Sequence, residues 1–317
     1  MFYNKKNSFF TFLIFVAVFY CVILLIFGDK NLSKTFSTTY FVEAVNLTSL
    51  YRIPYNQSKD FVPWESQAAK KLPKKGSIFC MVLTTPTNYP QKVVPINETW
   101  LGDCDRGEFF TSEEFDDETI PATNIFHGFS EKRTDLFWKV IHAFYTAYEK
   151  ISNQFDWYIK VDDDSYIFAK NLKEYLSNYD PSKPYYMGFR WKYPRMKNGY
   201  NSGGAYLLSK AAVAQLLSSV YQKSCKFDEI EDVGIGKCLA SLGIIPLDTK
   251  DKNGGQRFIP HDFGNIFDGF LFEQREKMFD EPKKAFEAFS PELILLHHID
   301  PSTMRLVHFI RKFLKNK

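Results

Sequence analysis

An α/β fold, with a mainly parallel sheet flanked by helices, is the class that this sequence predicts. Three observations carry it. From about residue 76 onward, short apolar or aromatic runs alternate with stretches of helical periodicity. Two of those runs end abruptly in polar clusters, Asp162-Asp163-Asp164 and His297-His298, as strands do when they carry ligands to the edge of a sheet. The chain of 317 residues is 45% hydrophobic and 17% aromatic, enough to bury one large core. Lys and Arg number 40 against 37 Asp and Glu, and the formal excess of +3 is spread along the chain, which argues against a nucleic-acid partner.

Ahead of that domain lies a different kind of sequence. From Phe9 to Phe27 every residue except Thr11 is apolar or aromatic, close to the ~20 residues that a helix needs to cross a bilayer. A cleaved signal peptide has an apolar region of ~7–15 residues and a small-residue cleavage site, neither of which fits, so we expect an uncleaved anchor over 9–27. Lys5 and Lys6 precede it while Asp29 offsets Lys30 behind it, which puts residues 1–8 in the cytosol and the rest in a lumen. Residues 28–75 are polar and aperiodic and read as a stem; residues 76–317 form the folded domain. Asn46, Asn56 and Asn97 head glycosylation sequons, in keeping with a secretory lumen. Cys21 falls in the span, leaving Cys80, Cys104, Cys225 and Cys238 as an even set that allows three pairings, with buried free thiols as the alternative.

Within the domain, Ser77 to Thr85 is an apolar β run and Glu108 to Thr111 a shorter one. Leu136, Phe137, Val140, Ile141, Phe144 and Tyr148 recur at helical spacing and predict a helix over Thr134 to Ile151. The strand Asp156-Trp157-Tyr158-Ile159-Lys160-Val161 follows and runs into the acidic triplet. Further helices are expected at Asn171 to Asn178, Lys210 to Tyr221 and Val233 to Leu242, with strands at Tyr185 to Phe189 and Ala205 to Leu208.

Three adjacent carboxylates raise one another's pKa unless a cation or several hydrogen bonds compensate. Hard oxygen ligands suit Mg or Mn, which take few protein carboxylates and leave positions for substrate phosphates. A solvated acidic turn is the plainer alternative. Gly203-Gly204 before a strand would permit positive φ and close backbone approach to a ligand. Glu231-Asp232, just ahead of a helical pattern, reads either as a cap or as a reactive pair. His297 or His298 offers an imidazole to a metal, or is structural.

Four segments together resemble the β-1,3-glycosyltransferases that include Fringe and the core 1 galactosyltransferase. They are Asp156 to Asp164, Gly199 to Ala205, Ile230 to Cys238 and His297 to Met304, in that order along the chain. The resemblance extends over about Ser77 to Leu314 and implies a GT-A fold behind a signal anchor, as a single-pass type II Golgi membrane protein. It implies Asp164 and His297 as ligands of manganese, with magnesium as the alternative. Asp163 is placed near the ribose of a UDP-sugar, Asp232 as general base and Glu231 beside it. Thr84, Asp162, Ser202, Gly203 and Gly204 line the donor site, with Lys139 facing the diphosphate. Short loops and the family pattern favour the pairs Cys80–Cys104 and Cys225–Cys238. The core 1 subgroup further implies UDP-galactose as donor, O-linked N-acetylgalactosamine on glycoproteins as acceptor, and allows a homodimer. The chain departs from that subgroup over Gly269 to Asp280, where an acceptor-binding aromatic run and a cysteine pair are missing, and its glycine motif is one residue shorter. A Fringe-like enzyme with another donor or acceptor, and a silent chaperone-like relative, are therefore carried as alternatives.

Overall fold

The fold follows from one fully buried strand. In the computed structural model, which describes residues 76–313, β1 (Ile78–Leu83) is buried at every position, so it needs covering on both faces. The expected tail, anchor and stem, with Asn46 and Asn56, lie outside the described residues. Among those described, no helix is long and apolar enough to cross a membrane.

After β1 the chain makes tight turns into α1 (Val94–Glu98), which carries Asn97, and then runs through β2 (Arg106–Thr111) and β3 (Ala122–Asn124). The long periodic segment forms α2 (Leu136–Tyr145), which loosens into a wider turn over Thr146–Ile151 before β4 (Trp157–Asp162). β1 pairs in parallel with both β2 and β4, and β2 with β3. Beyond β4 come β5 (Tyr166–Ile167), α3 (Ala169–Leu176) and the hairpin of β6 (Tyr186–Tyr193) with β7 (Met196–Ser209). The six strands lie in the order β3-β2-β1-β4-β7-β6.

The sheet is mainly parallel as expected, with one strand reversed: β7 runs antiparallel to both β4 and β6, making the sheet mixed. A two-residue connection cannot return a strand in parallel, and β6 is joined to β7 by a tight turn. β7 also begins nine residues before the strand expected at Ala205 and absorbs the whole glycine motif. Neither Gly203 nor Gly204 has positive φ.

Ser209 ends β7 and caps α4 (Lys210–Tyr221) by accepting from the Ala212 N–H at 3.2 Å. Then comes α5 (Glu231–Ser241). Trp157, Ile159 and Val161 of β4 face one core, while Tyr158 and Lys160 alternate to the other face. Helices α2, α4 and α5 pack together on the sheet. On the opposite side, β8 (Phe258–Ile259) and β9 (Leu295–Leu296) join β5 in a second, three-stranded sheet, with α6 (Phe263–Phe267) and α7 (Phe270–Glu273) between β8 and β9. The terminal α8 (Pro301–Phe313) follows. Disulfides link Cys80 to Cys104 and Cys225 to Cys238, the expected pairs.

Candidate active site

β4 and β9 end beside each other, because β9 pairs with β5, which starts four residues after β4 stops. That arrangement gives each acid of the triplet its own partner. Asp162 accepts from the Lys160 ammonium at 2.6 Å. Asp163, almost fully buried, accepts from the Thr84 hydroxyl at 2.7 Å, the Asn88 amide at 2.8 Å and the Lys92 ammonium at 2.8 Å. Asp164 turns the other way, with its Oδ1 3.0 Å from His297 Nε2 and its Oδ2 3.5 Å from His298 Nδ1.

The donor set of Asp164, His297 and His298 fits a divalent cation: one ligand atom from each lies within 4.8 Å of the others. Although Asp164 Oδ1 and His297 Nε2 are close, they make no aligned hydrogen bond. That oxygen is buried without a donor, as is His297 Nδ1. Two imidazoles stacked 3.7 Å apart beside one carboxylate are an arrangement that a shared ion would satisfy. Burial works against the charge on Asp164, but the contacts from His297 and His298 and the nearby Lys92 hold its carboxyl well below the ordinary range.

Glu231 and Asp232 form the first turn of α5, where the helix dipole favours negative charge. The helix begins two residues earlier than expected, and Ile230 occupies the cap position, so the reading of Asp232 as a cap falls away. Instead Asp232 accepts from the Gly203 N–H at 3.0 Å and from the Val233 N–H at 2.9 Å, and it remains partly exposed. Burial raises its pKa. Glu231 lies deeper, accepting from the Tyr206 hydroxyl at 2.5 Å, and burial pushes it up to about 7 against the opposing pull of Lys160. Lys160 is wholly buried and ties the halves together: it reaches Asp162, the Gly203 carbonyl at 2.5 Å, and Glu231 at 3.7 Å.

The glycine motif is explained by space. A Cβ on Gly204 would clash with the His297 ring, within 2.8 Å of three of its atoms, and one on Gly203 would sit 3.3 Å from Asp232 Oδ2. Ser202 is buried in the same strand, next to Gly203. Lys139 is not brought to the triplet by any contact. Its ammonium pairs with Glu131 at 2.9 Å and lies over the Phe126 ring, and the cation that meets Asp163 and Asp164 is Lys92. Sequence reasoning also missed Lys92, Asn88, Lys160 and Tyr206, and it named His297 but not His298 as a metal ligand. Only Lys160 left a signal, as a charge inside an otherwise apolar strand.

Comparison with known proteins agrees with this geometry. A family model described as Fringe-like matches residues 74–251. The chain is 36% identical over 201 residues to the glycoprotein-N-acetylgalactosamine 3-beta-galactosyltransferase 1 of Xenopus laevis, covering 63% of this chain and 54% of that one. It is 27% identical over 177 residues to the beta-1,3-glucosyltransferase of Mus musculus, covering 54% and 35%. A mouse N-acetyllactosaminide beta-1,3-N-acetylglucosaminyltransferase 4 is 28% identical over 108 residues, covering 28% and 30%. The chain thus spans about half of the first relative and about a third of the others. With the family model matching over half its length, and transferases of three sugars sharing the β-1,3 linkage among its relatives, the chain belongs to the Fringe-like family of β-1,3-glycosyltransferases.

Proposed function

We propose that this domain is a metal-dependent, inverting β-1,3-glycosyltransferase that moves galactose from UDP-galactose to the 3-hydroxyl of O-linked N-acetylgalactosamine on glycoproteins. The observation that carries the reading is the union, through buried Lys160, of an acid–imidazole cluster at one strand end with a carboxylate pair at a helix start. Asp164, His297 and His298 are the residues that would hold manganese or magnesium, which when bound neutralises charge growing on the departing UDP.

The remaining chemistry belongs to the chain's own groups. Asp232, partly exposed and oriented by two backbone N–H groups, takes the proton of the acceptor hydroxyl as that oxygen attacks the anomeric carbon. Glu231 and Lys160 fix the charge behind it. Asp163, Thr84, Asn88 and Lys92 form a hydrogen-bonded floor for the nucleotide. Two disulfides favour an oxidising compartment, and we place the domain in the Golgi lumen behind an anchor at 9–27.

A second reading, the same chemistry with another sugar or acceptor, is favoured by the spread of sugars among the relatives and by Gly269 to Asp280, which lacks the core 1 aromatic run. Full-length enzyme offered a panel of UDP-sugars and acceptors, with the product glycan sequenced, decides between them. A galactose in β-1,3 linkage on N-acetylgalactosamine is expected; a different sugar would move the assignment to the second reading, and no transfer from any donor would remove both.

A further inference from the structure

The strand that orients Asp232 continues away from the nucleotide side as a basic, aromatic hairpin with no role in the chemistry above. Residues 186–209 contain no acid but include Arg190, Lys192, Arg195 and Lys197. Arg190 is spent on structure, bonded to Asp280 through two nitrogens at 2.9 and 2.5 Å. Lys192, Arg195 and Lys197 are exposed, and among the described residues none has an ion pair or a side-chain hydrogen bond. Arg195 holds a left-handed backbone at the turn, with φ 69°.

A run of surface cations is ordinarily a solvated face, so position and rigidity must decide. The hairpin is braced: the Lys192 N–H donates to the Lys277 carbonyl at 2.7 Å, and Gly236 of α5 packs against Tyr200, where an added Cβ would lie 2.7 Å from that of Tyr200. The half-buried rings of Tyr193 and Tyr200 meet edge to face at 6.0 Å on the same hairpin, with the Lys237 ammonium of α5 over the Tyr193 ring. Tyr200 lies against Gly236, which stands one helical turn along α5 from Asp232. Tyr200 and Lys197 precede Gly203 by three and six residues, ~10 and ~20 Å along an extended strand. An extended acceptor peptide covers the longer distance in about six residues.

We propose that this hairpin is the acceptor platform, and that Lys192, Arg195 and Lys197 select acceptors bearing acidic side chains within about six residues of the glycosylated one. The two tyrosines wall the sugar against Asp232. The inference rests on the transferase reading above, and adds to it the chemical class of the acceptor. At physiological salt, charges separated by more than ~8 Å are largely screened, so the selection works by direct contact and weakens as salt rises.

The test uses full-length enzyme in detergent and one glycopeptide scaffold with acidic, neutral or basic flanks. For wild type, kcat/KM on the acidic peptide should exceed that on the neutral one by about tenfold, the scale of three rim charge pairs. In the triple variant Lys192→Gln, Arg195→Gln, Lys197→Gln that ratio should collapse to near one. A ratio that survives the substitution, or a wild type indifferent to flanking charge, overturns the proposal. Fluorescence anisotropy with the same acidic peptide lacking its sugar separates the two readings. Binding that needs the three cations, without transfer to any glycopeptide, sinks the acceptor assignment and keeps the hairpin; absence of both binding and transfer sinks the hairpin too.

Discussion

Glu231 and Asp232 are one peptide bond apart, yet meet different surroundings. Asp232 keeps access to solvent and two backbone donors, whereas Glu231 is enclosed by Tyr206 and Lys160. Replacing Asp232 by Asn preserves shape and one of its two backbone hydrogen bonds, because the amide nitrogen cannot accept from an N–H, and it removes the proton acceptor. Turnover should therefore fall by at least ~10²-fold while UDP binding stays near normal. Near-native transfer at saturating substrates would take Asp232 out of the mechanism and leave Glu231 as the next candidate. Glu231 itself should be visible in stability. Its pKa lies at about 7 in the fold against an ordinary 4.5, so the folded state holds an extra proton between those values. The contribution is full below about pH 4.5 and is lost as pH rises through 7. Glu231→Gln should flatten that decline, worth on the order of a few kcal/mol at ~1.4 kcal/mol per pKa unit, in denaturant melts at pH 5 and 8. An unchanged slope would mean that Glu231 is ionised throughout.

At the scale of elements, β7 and β9 meet where Gly204 faces His297. Gly204→Ala drives a methyl group against the imidazole and must swing the ring away from Asp164. Metal affinity, read by calorimetry, should drop ~10-fold or more while the fold persists; unaltered affinity would show that His297 is not a ligand. How the sequence announced these elements depended on what fixes each one. Lys210–Tyr221 was legible to its ends, because an apolar face and a Ser cap are local signals. The triplet was legible because an apolar strand stopped at it. β7 was not: Asn198, Gly199, Asn201, Ser202, Gly203 and Gly204 have low strand propensity, and pairing with β6 overrides it. Lys92 was also hidden. It reaches Asp163 across 71 positions, a contact no local pattern encodes. The pairing of Lys139 with Glu131 was not legible either, since no helical spacing links the two positions.

For the whole molecule, folding must bring the ends of β4, β7, β9 and α5, far apart in sequence, to one proposed ion and one proposed base. Lys160 holds β4, β7 and α5 together through Asp162, the Gly203 carbonyl and Glu231, and β9 is held by its pairing with β5. The central claim is that Asp164 and the paired histidines hold a divalent ion without which sugar transfer stops. Its most direct test is UDP release from UDP-galactose by full-length enzyme in the presence of an O-N-acetylgalactosamine glycopeptide. The enzyme is stripped by chelation and then titrated with manganese, for wild type and Asp164→Asn side by side. Wild type should be inactive when stripped and recover with manganese, while Asp164→Asn stays inactive across the titration yet unfolds as a folded protein does. Full turnover by stripped wild type, or by Asp164→Asn at any manganese concentration, would contradict the account.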